Sequence, residues 1–224
     1  MTSQLQDSTN IGLSRAENLI DNTQNLDVFA EVSSLLKVAA TTLIKIGNDL
    51  RFLASGPHGG IGEITLKDDQ VGSSIMPGKV NPVIVEMTIM NAHKVMSDDS
   101  LICDLVKSGN LELNAFVPMI AETLIESLEL LTNTVDKFNN KCAKHIKVNK
   151  EKCLENLEKS HSLITPLITL IGYDNASEIV KEANQRRMKI KEVIVESGLF
   201  STEDLEKMLN PVNITKPGIL RGDV

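Results

Sequence analysis

From Val117 to Cys142 the apolar residues Val117, Ile120, Leu124, Leu128, Leu131, Val135, Phe138 and Cys142 recur at strides of three and four. That stride follows the 3.6-residue turn of an α-helix and lays one apolar stripe along its side. A second stretch runs from Val28 to about Ser55, through Val32, Leu36, Ala39, Leu43, Ile46, Leu50 and Leu53. At 1.5 Å per residue it predicts a helix of roughly 40 Å. A third, over residues 82–108, is less regular: Ile84, Met87, Asn91, Val95, Leu101 and Leu105 form a partial stripe, which Ser97-Asp98-Asp99-Ser100 interrupts as if at a kink. Gly56-Pro57 and Gly109 supply the stops, and Pro118 suits a first helical turn. Helices of this length can bury their stripes only against one another. The predicted fold is therefore all-α, with a long antiparallel helix bundle over residues 1–146.

Residues 147–224 read differently. Pro166, Gly172, Gly198, Pro211 and Pro217 cut them into short helical patterns, with Glu151–Ser160, Asn175–Gln185 and Thr202–Leu209 as the expected helices. They predict a small helical C-terminal domain, with no strand. Aromatic residues are scarce (no Trp, one Tyr, five Phe), which suits helices packed through aliphatic side chains. The net charge of −7 argues against nucleic-acid or anionic-membrane partners, which need a basic patch. No apolar run approaches a membrane span, and Met1 opens a polar stretch rather than a secretory leader, so a cytoplasmic protein is expected. Cys103, Cys142 and Cys153 are odd in number, and neither they nor His58, His93, His145 and His161 stand at metal-ligand spacing. Reduced thiols, no metal and no cofactor are expected.

Residues 56–81 form a long loop, and loops of that length in a compact domain are usually functional. Gly56, Gly59, Gly60 and Gly62 have the look of a phosphate cradle, but no strand precedes them and no Gly-Lys-Ser/Thr follows, so they read as turn residues. The loop ends in Gly72-Ser73-Ser74-Ile75-Met76-Pro77-Gly78-Lys79-Val80-Asn81-Pro82. Asn81 is predicted as a helix N-cap, with Pro82 at the first helical position. Free N–H groups, the positive dipole end and the Lys79 charge would then favour a carboxylate or phosphate. The plainer reading is a glycine-rich turn that only caps the helix.

Those eleven contiguous residues resemble the signature loop of the aspartase/fumarase superfamily, whose members remove a group β to a carboxylate and yield fumarate. The resemblance extends to Ala16-Glu17-Asn18-Leu19-Ile20-Asp21-Asn22-Thr23-Gln24-Asn25, to Lys45–Arg51 and to Asn213-Ile214-Thr215-Lys216-Pro217-Gly218. The first and last of these look like aspartases, whereas Ile171-Gly172-Tyr173-Asp174 resembles some fumarases.

The resemblance implies the C-terminal half of a three-part helical enzyme, assembled as a homotetramer and acting on a small dicarboxylate, aspartate or fumarate. Ser73 then matches the catalytic base; Lys79 and Asn81, with Ser74 and Met76, match the substrate-binding residues. Glu86 matches the acid that orients a catalytic histidine, and that histidine would come from a complementary N-terminal half. Aspartate ammonia-lyase is the leading expectation and fumarase the alternative. A catalytically incomplete piece acting only in assembly is the reading from another class.

Overall fold

The computed structural model describes residues 1–56, 59–67, 75–76 and 79–218. Two short helices, α1 (Thr2–Thr9) and α2 (Asp21–Gln24), precede α3 (Asp27–Leu53). After a two-residue strand, β1 (Ile64–Thr65), come α4 (Val83–Val106) and α5 (Val117–Lys141). A second two-residue strand, β2 (Lys147–Val148), leads to α6 (Lys150–Lys159), α7 (Ile168–Ile171), α8 (Tyr173–Arg186), α9 (Ile190–Glu196), α10 (Thr202–Met208) and α11 (Pro211–Ile214). The all-α expectation holds, with two minimal strands beside it. The chain divides into two compact units: Met1–Ser55 with Ile64–Lys147, and Gly56–Glu63 with Val148–Val224.

The first unit is built on α3, α4 and α5. Gly47 of α3 sits against Val85 and Ile89 of α4, and Lys37 reaches Asp99, so the two helices run antiparallel. Between α4 and α5, the Asn91 amide donates to Thr134 Oγ1 at 2.8 Å, and Ser127 Oγ donates to Asp98 at 2.8 Å. Both steps, 91 to 98 and 134 back to 127, are one heptad, so the same antiparallel register is written twice. Ile102, Ile120 and Leu124 close around Leu26 in one layer; Ala40, Ala92, Val95 and Leu131 form the next.

The predicted stripes are buried only in part: Val95 on α4 and Ile120, Leu124 and Leu131 on α5 face inward, while other stripe positions do not. On α3 the inward line is Ser33, Ala40 and Gly47, continuing from the buried Leu26 at seven-residue intervals. Val32 and Ile46 are 36% and 39% exposed. On α5, Thr123, Ser127 and Thr134 are buried while Leu128 and Val135 are exposed. Small and hydroxyl side chains let the backbones approach: a Cβ on Gly47 would lie 2.8 Å from the Ile89 side chain. On α3 small residues thus take the inner line, and apolar side chains remain on its outer face.

Nor does Ser97–Ser100 kink α4, which runs unbroken. Asp98 and Asp99 are 5% and 2% exposed. Successive residues point about 100° apart on a helix, so the two carboxylates serve different neighbours. Asp98 accepts from Lys94 Nζ at 2.6 and 2.8 Å and from Ser127. Asp99 accepts from Ser34 Oγ at 3.2 Å and from Lys37 Nζ. Burial pushes the Asp99 carboxyl upward, but hydrogen bonds from Lys37 and Ser33 outweigh it and hold the group below its ordinary range. At the α4–α5 corner, buried Asn114 donates to the Leu105 and Val106 carbonyls, both at 3.0 Å, and accepts from the Phe116 N–H at 2.9 Å. One amide thus satisfies orphan groups at both helix ends.

The second unit packs α7 to α10 around Leu167, Ile190, Ile194 and Leu205. Asn149 caps α6, its Oδ1 accepting from the Lys152 N–H, and Ser201 caps α10 through the Asp204 N–H. The positive φ of Gly172 (79°) turns α7 into α8, and that of Gly198 (72°) follows α9. The predicted helices 151–160, 175–185 and 202–209 match α6, α8 and α10. Helix α9 and the 3₁₀ turn His161–Leu167 have no counterpart among the expected helices. In this unit α6 also grips Ile61–Glu63: the Asn156 amide donates to the Ile61 carbonyl at 3.2 Å and to Glu63 Oε1 at 3.0 Å. The Asn149 N–H donates to the Glu63 carbonyl at 2.8 Å. The predicted single loop 56–81 is therefore two segments, the first belonging with α6.

Candidate active site

Of the residues singled out in the sequence, Asn81 directly precedes the α4 cap and Glu86 stands in its first turn. Ser73 and Ser74 lie outside the described residues. Met76, Lys79 and Asn81 are described: the Lys79 N–H donates to the Met76 carbonyl at 3.2 Å, which brings those two together. Met76 and Lys79 are exposed and Asn81 is half-buried.

The predicted cap is displaced by one residue. Pro82, with φ −78° and ψ 62°, is the N-cap, and the helix starts at Val83. These angles are those of an inverse γ-turn, closed by the Val83 N–H donating to the Asn81 carbonyl at 2.8 Å. Proline's ring fixes φ, but nothing forces ψ into the helical range, so Pro82 closes the turn instead of opening the helix. A shallow depression of ≈ 300 Å³, open solvent included, adjoins it, lined among others by Lys67, Asn81, Val85, Lys141 and Cys142. Burial pushes the Cys142 thiol up.

Glu86 follows one turn later, its N–H donating to the Pro82 carbonyl at 2.9 Å. Its carboxylate faces Arg51 Nη2 in the last turn of α3 at 3.8 Å. Sequence reasoning gave Arg51 no role, because it stands 35 positions away and no local pattern joins them. His93, His145 and His161 are exposed, and among the described residues no group of three His, Cys, Asp or Glu side chains could hold a metal ion. Cys103, Cys142 and Cys153 are free thiols. No helix among the described residues is long and apolar enough to cross a membrane.

Comparison with known proteins identifies the class to which this helical chain belongs. A family profile described as Lyase matches residues 1–97, and one described as Fumarase C C-terminus matches residues 163–216. The chain belongs to the aspartase/fumarase superfamily of lyases. It is 42% identical to an aspartate ammonia-lyase of Bacillus sp over 207 residues, 92% of this chain and 44% of that protein. It is 43% identical to a class II fumarate hydratase of Bacillus subtilis over 182 residues, 81% of this chain and 39% of that one. The solved structure of a fumarate lyase:delta crystallin from Brucella melitensis superposes with a TM-score of 0.89 at 37% identity, covering 96% of this chain and 47% of that one. The chain thus spans less than half the length of the relatives it matches.

Proposed function

We propose that this chain is the loop-bearing part of an aspartate ammonia-lyase. The observation that carries the proposal is the 42% identity to the Bacillus sp enzyme across 92% of the chain, together with Lys79 and Asn81 at the head of α4. In this reading Ser73 removes a proton from the carbon next to one carboxylate of aspartate. The electron pair passes into that carboxylate as an aci-carboxylate dianion, then returns to form the carbon–carbon double bond as ammonia leaves. Lys79 and Asn81, with Ser74 and Met76, hold the carboxylate; binding the dianion more strongly than the substrate is what accelerates the step. Glu86 orients a histidine supplied by the rest of the enzyme. Fumarate hydration is the second reading, favoured by the 43% identity to the Bacillus subtilis hydratase.

The test is turnover. The chain alone is expected to release neither ammonia from aspartate nor malate from fumarate, because holding the substrate in place is worth roughly 7–11 kcal/mol and most of the holding groups lie elsewhere. Supplying the N-terminal half of the Bacillus sp relative should restore one of the two activities. Turnover by the chain alone would place the active site elsewhere.

Assembly belongs to the same proposal. Val28, Leu35 and Val38 on α3, with Ile125, Leu128 and Val135 on α5, are exposed apolar side chains that call for cover by other helices. A tetramer is expected from light scattering. A stable monomer would remove this part of the reading.

A further inference from the structure

We propose that Arg51 is a positioning residue that holds the Glu86 carboxylate in its working orientation; this rests on the role given to Glu86 above. Arg51 Nη2 stands 3.8 Å from Glu86 Oε1, and the two side chains keep 47% and 40% of their exposure. An ion pair so open to water adds little to stability. Its consequence is directional. A carboxylate on a flexible side chain has two equivalent oxygens, and a cation on one of them leaves the other as the acceptor on the open side.

The placement is built into both helices. Arg51 lies in the last turn of α3, where the helix dipole favours a cation, and Glu86 lies in the first turn of α4, where it favours an anion. The antiparallel register that seats Gly47 against Val85 and Ile89 brings those two ends level. Glu86 is also five positions from Asn81 on the same chain, so the cation fixes the acid at the end of the bundle that carries Lys79 and Asn81. Guanidinium suits this task because its planar fork keeps its charge at every working pH.

Two measurements decide the proposal. In the chain alone, Arg51→Gln should move the carboxylate ¹³C resonance of Glu86, and Arg51→Lys should move it less; an unmoved resonance in Arg51→Gln would overturn the pairing. In the enzyme completed with the N-terminal half, Arg51→Gln should lower kcat about tenfold, the scale of coupling within one network, with Arg51→Lys recovering most of it. In a Glu86→Gln background the same substitution should cost nothing more. Equal losses in both backgrounds would show that Arg51 acts on folding rather than through Glu86, and would sink the proposal. A completed enzyme without any turnover would fail the function proposed above, while the resonance of Glu86 would still decide the pair.

Discussion

Asp99→Ala is expected to destabilise the chain by about 2 kcal/mol, the scale for leaving a buried polar group without its partner. For a chain of this length that lowers Tm by roughly 4–8 °C. The carboxylate is almost wholly buried, and it accepts from Lys37 on one side and from Ser34 on the other. Its removal leaves the buried Ser33 hydroxyl short of an acceptor and unties α4 from α3 at mid-length. The pH dependence gives a second, independent signature. A carboxyl held below its ordinary value contributes stability above about pH 4 and loses it as pH falls through the folded value. Part of the parent's acid sensitivity should therefore vanish in Asp99→Ala. The remainder comes from groups such as Glu155, which hydrogen bonds from Lys159 and Lys152 hold at about 2. Lys37→Met should behave oppositely: the carboxylate stays buried without its cation, the protein melts earlier at neutral pH, and acid restores part of the loss. Thermal melts from pH 3 to 7 on the three proteins decide the matter. An Asp99→Ala variant as stable as the parent would mean that the pair is idle.

Ser73→Ala is the larger effect in function. In the completed enzyme it should abolish formation of fumarate from aspartate while moving stability by less than about 0.5 kcal/mol. A missing general base in an otherwise intact site costs about 10²–10⁴-fold in rate. Turnover near the parent's would assign proton removal to another group. A variant that fails to fold would make Ser73 structural.

The long helices were legible because periodicity is local information: 28–55, 82–108 and 117–142 in the sequence became Asp27–Leu53, Val83–Val106 and Val117–Lys141. Which side of each helix faces inward was not, because that depends on the partner. Ser33, Ala40 and Gly47 look like weak core residues until α4 is placed beside them. The aspartates were misread for the same reason. A run of Ser and Asp reads as a break in the stripe, and only Lys37 and Ser34, 62 and 65 positions away, show why a carboxylate can be buried there. At the candidate site, the contiguous motif singled out Met76, Lys79 and Asn81, and the family resemblance added Glu86, without any fold. The γ-turn at Pro82 and the Arg51 partner of Glu86 required coordinates.

The grip of α6 on Ile61–Glu63 has a consequence for the order in which the chain is made. Asn156 bonds to residues 93 and 95 positions behind it, so those bonds cannot form until α6 itself has been synthesised. Closing so long a loop is entropically slow, and contacts of this range form late. The helices α3, α4 and α5 can pair as they emerge, but Ile61–Glu63 must wait for α6. During synthesis the segment bearing Lys79 and Asn81 is thus secured on the α4 side first, and the polypeptide holds an assembled bundle before the stretch preceding its candidate active site is in place.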